Sequence, residues 1–342
     1  MLSSKINFCT FFDHYFLPKA LAHLESISAV DPSATMYVLC LDEEAKNILL
    51  QENIQKCKII SLDELEDFDS ELRAVKENRT QIEYYFTLKP SLMRYCLFHF
   101  PHCGILFYID IDTFFYSSPD DILVELGSGS ILLTPHNFSS TYRTHEKYGK
   151  FNAGFIGVKK DNSGLHFLEW WRARCLEWCY DRLEDGKFGD QKYLESVPSL
   201  FPETVICKNR AINLSTYSLD NALLSEVSGQ MMLNNKPVIF FHFHGLKKVS
   251  SKLYDLQLGD SKLYKCKALI SFYHKYINRL EYFQKKHQLS LKSIRNIFPD
   301  NQGAGWRLAL YKPLFLKLVF FGLVFDLRTF HKLRKRIASR FT

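Results

Sequence analysis

Three observations predict an α/β fold, with a mostly parallel central sheet flanked by helices and a helical, basic C-terminal extension. Strand and helix signals alternate through the first hundred residues, the pattern of βα units. The segment 104–111 (GILFYIDI) is apolar throughout until its acids, as in strands covered on both faces of a parallel sheet. Basic side chains are concentrated beyond residue 245, which sets the last third apart from the body.

The elements follow in order. Residues 5–12 read as a strand, 17–28 as an amphipathic helix, and 35–41 as a second strand ending in Asp42, Glu43 and Glu44, acids that suit the first turn of a helix. A short strand at 58–60 and a helix at 90–100 lead into the strand 104–111. Strands at 130–134 and 151–158 come next, then a long amphipathic helix over 163–184 with Trp170, Trp171 and Trp178 on or near its buried stripe, and a last apolar strand at 238–243. Neither an internal repeat nor a low-complexity linker interrupts this pattern, so residues 1–250 read as one domain and 251–342 as the helical extension.

Composition bounds the class. The 342 residues are 46% hydrophobic and 24% charged, with 15 Gly and 11 Pro, which excludes disordered and fibrous chains. An excess of 29 Phe and 18 Tyr leaves some aromatic surface for a ligand or a lipid. Nine cysteines, odd in number and scattered, are no disulfide framework and point to a reducing cytoplasm. Cys175 and Cys179, four apart on the long helix, read as buried thiols rather than a metal clip, because no matching pair with zinc spacing accompanies them.

Residues 1–245 carry 23 Lys and Arg against 32 Asp and Glu, whereas residues 246–300 carry 12 against 4 and residues 301–342 carry 9 against 1. An acidic body with a basic tail calls for an anionic partner of the tail. Residues 314–325 are apolar except for Lys317, and Lys332, Arg334, Lys335, Arg336 and Arg340 follow. The run is shorter than the ~20 residues that span a bilayer. Its combination of Phe and basic charge predicts a peripheral anchor at 313–342 on an anionic membrane surface, with a helix packed on the body as the alternative.

Four motifs carry chemistry. Asp110 and Asp112 flank Ile111 at the end of an apolar strand, where ligands of open α/β sheets bind. On an extended segment their carboxylates would share a side, and paired hard oxygens suit a divalent cation. Taken alone, the spacing is also that of a solvated turn. His242 and His244 end the last strand, followed by Gly245, Lys247 and Lys248, so an imidazole and ammonium groups could complete a site for metal and diphosphate. Gly189 presents Asp190 and Gln191, with a helix cap as the plainer role of Asp190. Asn152, Ala153 and Gly154 are small enough to let a ligand approach the backbone, or to form a tight turn.

In the order DID, FNAG, GDQ and HFHG with a lysine three residues on, these motifs resemble the retaining nucleotide-sugar glycosyltransferases of family eight, which have the GT-A fold. Through EYYFTLKPS, the stretch 170–180 and DGKFGDQKYL, the chain resembles bacterial sugar transferases of surface-polysaccharide (lipopolysaccharide and O-antigen) gene clusters. The resemblance covers about residues 5–248.

It implies that Asp110 and Asp112 hold Mn2+ or Mg2+, with His242 a better match to the metal histidine than His244, and Asp110 also near the donor ribose. Lys248, three residues after Gly245, matches the diphosphate lysine. Asn152 and Ala153 line the sugar pocket, Asp190 and Gln191 face the donor sugar and anomeric centre, and Tyr15 stacks on the base with Thr10 and Asp13 beside it. The donor-contacting cation of the helix before the acids is matched by Arg94 or Lys89. The chain departs from the pattern at Phe12, where the family has an acid near the base, and at Val249 and Ser250, where Pro and Trp are common.

The implied reaction is metal-dependent transfer of a hexose from a nucleotide-diphosphate sugar, UDP-sugar foremost, to a saccharide or lipid-linked saccharide acceptor, with retention. The chain is then expected in the cytoplasm, peripheral to the inner face of the plasma membrane, with no nucleic acid as partner. Two other classes fit parts of the sequence. A metal-dependent nucleotidyltransferase or phosphohydrolase would use the paired acids, and a non-catalytic nucleic-acid- or membrane-binding protein would use the basic tail.

Overall fold

This computed structural model describes residues 6–219, 224–250, 253–258 and 263–289. The chain forms two compact units, Met1–His242 and Phe243–Thr342.

The first unit is built on a seven-stranded sheet. Its opening βα units comprise β1 (Asn7–Phe12), α1 (Leu17–Val30), β2 (Thr35–Cys40), α2 (Glu43–Glu52) and β3 (Cys57–Ser61). Helices α3 (Leu62–Phe68), α4 (Ser70–Val75) and α5 (Gln81–His99) precede β4 (Ile105–Ile109) and the short β5 (Thr113–Phe115). Then come α6 (Asp120–Leu126), β6 (Ile131–Pro135), β7 (Phe151–Lys159), α7 (Asn162–Glu177), α8 (Val197–Leu200), β8 (Thr204–Ile206) and β9 (Leu214–Ser215). The strand order is β3-β2-β1-β4-β7-β6-β8. β7 alone runs against its neighbours, pairing antiparallel with β4 and β6, and every other contact in this sheet is parallel. The mostly parallel α/β sheet expected from the sequence is therefore present.

Alternation along the central strands sorts the core into two layers. One layer packs Cys9, Tyr108 and Ile156 against Leu88, Leu92 and Cys96 of α5 and Phe167, Leu168 and Trp171 of α7. On the other, Phe8, Phe107, Phe115, Phe155 and Phe240 form a chain of ring contacts, with centroids 4.9 to 6.0 Å apart. Gly157 is required there, because a Cβ at that position would meet the Phe107 ring at 2.5 Å.

Several boundaries differ from the sequence reading. The helix expected at 90–100 begins at Gln81, since Thr80 and Glu83 form a reciprocal capping box. Pro90 lies inside it, nine residues past its start, rather than opening it. The helix expected to reach 184 stops at Glu177, and a two-residue turn at Asp185 and Gly186, both with left-handed φ (49° and 72°), closes a Glu184–Lys187 bridge instead. Cys175 is thus on the helix and Cys179 beyond it, and both are buried free thiols as expected. Asp110, Ile111 and Asp112 are not extended. The chain turns at Ile111 and Asp112 before β5.

The last apolar strand is β13 (Phe240–His242), preceded by the meander β10 (Leu224–Val227), β11 (Gln230–Leu233) and β12 (Lys236–Pro237). It lies outside the large sheet, between β5 and β9 in a three-stranded sheet. In the second unit, β14 (Lys247–Ser250) pairs antiparallel with β15 (Leu253–Asp255), and α9 (Lys267–Lys286) buries Leu269, Phe272, Tyr273, Tyr276, Ile277, Leu280 and Phe283 along one side. No described helix is long and apolar enough to cross a membrane. The anchor expected at 313–342 lies outside the described residues.

Candidate active site

The site forms where β4 ends. Backbone bonds fix its start: the Asp110 amide donates to the Gly154 carbonyl at 2.9 Å, and the Thr113 hydroxyl donates to the Asp110 carbonyl at 2.9 Å. The turn between them brings both carboxylates to one imidazole, because β13 pairs antiparallel with β5 and sets His242 opposite Thr113. His242 Nε2 lies 2.9 Å from Asp112 Oδ1 and 3.9 Å from Asp110 Oδ2. Its Nδ1 lies between Asn213 Oδ1 at 3.2 Å and Asn152 Nδ2 at 3.4 Å. Nε2 faces a carboxylate, where a proton or a cation can sit between them.

His242 is 2% exposed. Burial works against its charge, but Asp112 and then Asp110 outweigh burial and raise its pKa. Two carboxylates with one imidazole are a donor set that fits Mn2+ or Mg2+. Gly154 leaves the room this convergence needs. A Cβ there would stand 2.4 Å from Asp110 Oδ2, 2.8 Å from Asn152 Oδ1 and 2.9 Å from His242 Cε1.

A buried cation adjoins the acids. Lys89, 6% exposed on α5, places Nζ 3.0 Å from Asp190 Oδ2, 3.8 Å from Asp110 Oδ1 and 3.4 Å from the Ala153 carbonyl. Burial alone would discharge this ammonium, but Asp110 and Asp190 hold its pKa above the ordinary value. Asp190 is no helix cap. It is 3% exposed, its carbonyl accepts from Trp171 Nε1 at 3.0 Å, and burial pushes its carboxyl pKa up while Lys89 opposes that shift.

Gln191 follows and is held in place from several sides. His136 Nε2 donates to its Oε1 at 3.0 Å, the Ala153 amide reaches the same oxygen at 3.4 Å, and its Nε2 donates to the Tyr148 carbonyl at 3.2 Å. The structure therefore brings together Asp110, Asp112, His242, Asn152, Ala153, Lys89, Asp190 and Gln191 from five separate stretches of sequence.

The remaining expected residues of the first unit make other contacts. Of the two cations expected on α5, Arg94 pairs with Glu169 at 2.8 Å and Asp69 at 3.7 Å and lies over the Phe68 ring, and Lys89 stands beside the acids. Asp13 is already occupied, accepting from the Tyr15 amide at 3.0 Å, the Tyr85 hydroxyl at 2.7 Å and Gln81 Nε2 at 3.3 Å. It positions Tyr15, which is 53% exposed and packs on His14 with ring centroids 3.8 Å apart. Thr10 is buried on β1.

In the second unit His244 is exposed, and Gly245 has φ 78° with the Gln257 side chain against it. There Lys248 donates to Glu281 and, at 2.8 Å, to Gln284.

Sequence reading missed three supporting groups and named the fourth, Gly154, only for its small size. Tyr108 donates to Asp110 Oδ1 at 2.7 Å, Asn213 orients His242, His136 holds Gln191, and Gly154 clears the acids. Only Gly154 carried a signal, as the glycine of its motif. His136 and Asn213 are 55 and 29 positions from the groups they touch, and Tyr108, two residues before Asp110, was read only as part of the apolar strand.

Fold and site first define a class: an α/β protein with two carboxylates, an imidazole and a buried lysine gathered at the carboxyl end of a central strand. Within it, the chain belongs to the family of the uncharacterized protein YfnF of Bacillus subtilis (strain 168), with which it is 32% identical over 251 residues, 71% of this chain and 82% of that protein. It is also 28% identical over 256 residues to the uncharacterized protein YfnD of the same organism, covering 74% and 82% of the two chains. No family model matches. Among solved structures, the chain is similar to the galactosyltransferase LgtC, at TM-score 0.45 and 17% identity over 70% of this chain and 87% of that one. It is also similar to the bifunctional glycosyltransferase WbbM, at TM-score 0.48 and 15% identity over 85% of this chain and 53% of that one.

Proposed function

We propose that this chain is a GT-A glycosyltransferase that moves a hexose from a nucleotide-diphosphate sugar, UDP-sugar foremost, to a saccharide or lipid-linked saccharide acceptor, with retention. The observation that carries this reading is the convergence of Asp110, Asp112 and His242 over Gly154, with Lys89 joining Asp110 to Asp190. Together with the ordered motifs of the sequence, this arrangement fits a donor diphosphate on the acidic side and a donor sugar on the Asp190 side.

Asp110, Asp112 and His242 would hold a divalent cation, which supplies charge for the leaving diphosphate. Lys248 is the diphosphate lysine of this reading. Breaking the anomeric C–O bond leaves its electron pair on the diphosphate while the acceptor hydroxyl forms the new bond from the same face. The acceptor's proton passes to the departing phosphate oxygen. Asp190 or Gln191 steadies the positive charge that develops on the sugar, and Lys89 offsets part of the cost of burying Asp190 beside it. Asn152 and Ala153 line the sugar pocket, and Tyr15 offers its half-exposed ring to the base.

The enzyme would work in the cytoplasm at the inner face of the plasma membrane, held there by residues 313–342. A panel of nucleotide sugars tests the function. Release of the nucleoside diphosphate from one of them, dependent on Mn2+ or Mg2+, is expected, and a panel inert at every metal concentration would contradict the reading.

A further inference from the structure

Beside Gln191 stands a wall of aromatic rings that the donor site does not use. Residues 136–150 form a loop around the 3-10 helix Ser140–Tyr148. Its two ends are tied to Gln191, through His136 Nε2 at 3.0 Å and the Tyr148 carbonyl at 3.2 Å. Gly149, with φ 139°, closes it so tightly that a Cβ would meet the Gln191 side chain at 3.0 Å. Within the loop, Phe138 stacks on His136 (4.5 Å, 17°) and meets Tyr217 at 5.7 Å. Tyr148 meets Phe188, two residues before Asp190, at 4.7 Å. Phe138, Tyr148, Phe188 and Tyr217 are all partly exposed, whereas Tyr142, 4% exposed, anchors the loop from behind against Tyr217.

Partly exposed aromatic rings match the apolar C–H faces of pyranose sugars. The rim of this wall is basic. Arg143, Lys147 and Lys150 are exposed, with Glu146 among them in sequence and Glu195 accepting from the Lys150 amide at 3.0 Å, in a body that is otherwise acidic. Lys147 lies over the Tyr148 ring at 4.9 Å.

We propose that this wall is the acceptor site and that its occupant is an acidic saccharide, one whose sugars carry carboxylate or phosphate. The terminal sugar stacks on Tyr148 and Phe188, next to Gln191, and the negative group meets Arg143 and Lys147. This inference rests on the glycosyltransferase reading for its chemistry, but saccharide binding can be measured without turnover.

The full chain is applied, with UDP and Mn2+, to an array of neutral, uronate-bearing and phosphate-bearing oligosaccharides. Retention of acidic glycans at least tenfold above neutral ones is expected, and the uronate and phosphate arms tell which acid is read. Tyr148→Ala and Phe188→Ala should each lower that retention at least tenfold, while Tyr148→Phe and Phe188→Tyr preserve it and thermal stabilisation by UDP is unchanged. Equal retention of neutral glycans, or retention indifferent to both alanine variants, would overturn the proposal. Wall-dependent retention without any stabilisation by UDP would overturn the donor reading and leave this one standing.

Discussion

Gly154 shows how much of the site depends on one missing methyl group. Its neighbours approach to distances no Cβ tolerates, 2.4 Å from Asp110 Oδ2 and 2.9 Å from His242 Cε1. Gly154→Ala must therefore push the carboxylate and imidazole apart. We expect at least a tenfold loss of Mn2+ affinity by calorimetry, with a stability cost of about 1–3 kcal/mol for overpacking. Unchanged affinity would remove Gly154 from the account. The identities of the acids and of His242 were legible in the sequence, but their geometry was not. The expected same-side projection from a strand is replaced by a turn, and His242 reaches the acids only because β13 pairs with β5. Lys89 and Asp190 are 101 positions apart in the chain, and no local pattern joins them.

At the scale of elements, six of the seven strands of the central sheet could be read because buried apolar runs signal them, whereas the short, partly exposed β8 was missed. Helix α5 was cut short in the reading because Pro90 resembles a first-turn proline, although Thr80 and Glu83 already spell the capping box that starts it. Helices α4, α5 and α7 meet around another charged cluster. Arg172 on α7 donates to both oxygens of Asp69, at 2.5 and 2.6 Å, and Asp69 caps α4 through the Leu72 amide at 3.1 Å.

Burial alone would raise the Asp69 carboxyl pKa, but Arg172 outweighs it and the folded value is lowered. The unfolded chain then takes up the proton first as pH falls. Stability from this pair is fully present above the ordinary carboxylate value of about 3.9 and is lost as pH drops through the lower folded value. Asp69→Asn should cost about 1–3 kcal/mol at neutral pH by removing the buried partner of Arg172, which keeps Glu71 at 2.7 Å and Glu169 at 3.2 Å, and should flatten the acid limb of stability in urea titrations between pH 5 and 2. A variant with the wild-type acid limb would contradict this assignment.

Across the whole molecule, charge divides the labour proposed for the chain. The acidic body gathers its carboxylates where a cation and a diphosphate can be held, and the basic end of the sequence is left for an anionic membrane. Co-sedimentation with anionic vesicles, measured with and without residues 301–342, checks the second half. Binding that depends on those residues and falls with salt is expected, and equal sedimentation of both forms would sink the anchor.

The first half is the central claim. It is tested most directly by Mn2+-dependent hydrolysis of the UDP-sugar selected from the donor panel, compared between the wild-type chain and Asp112→Asn. The account predicts metal-dependent release of UDP by the wild type and a loss of at least a hundredfold in the variant, with the cooperative unfolding transition retained. Wild-type turnover in a folded Asp112→Asn chain would contradict it.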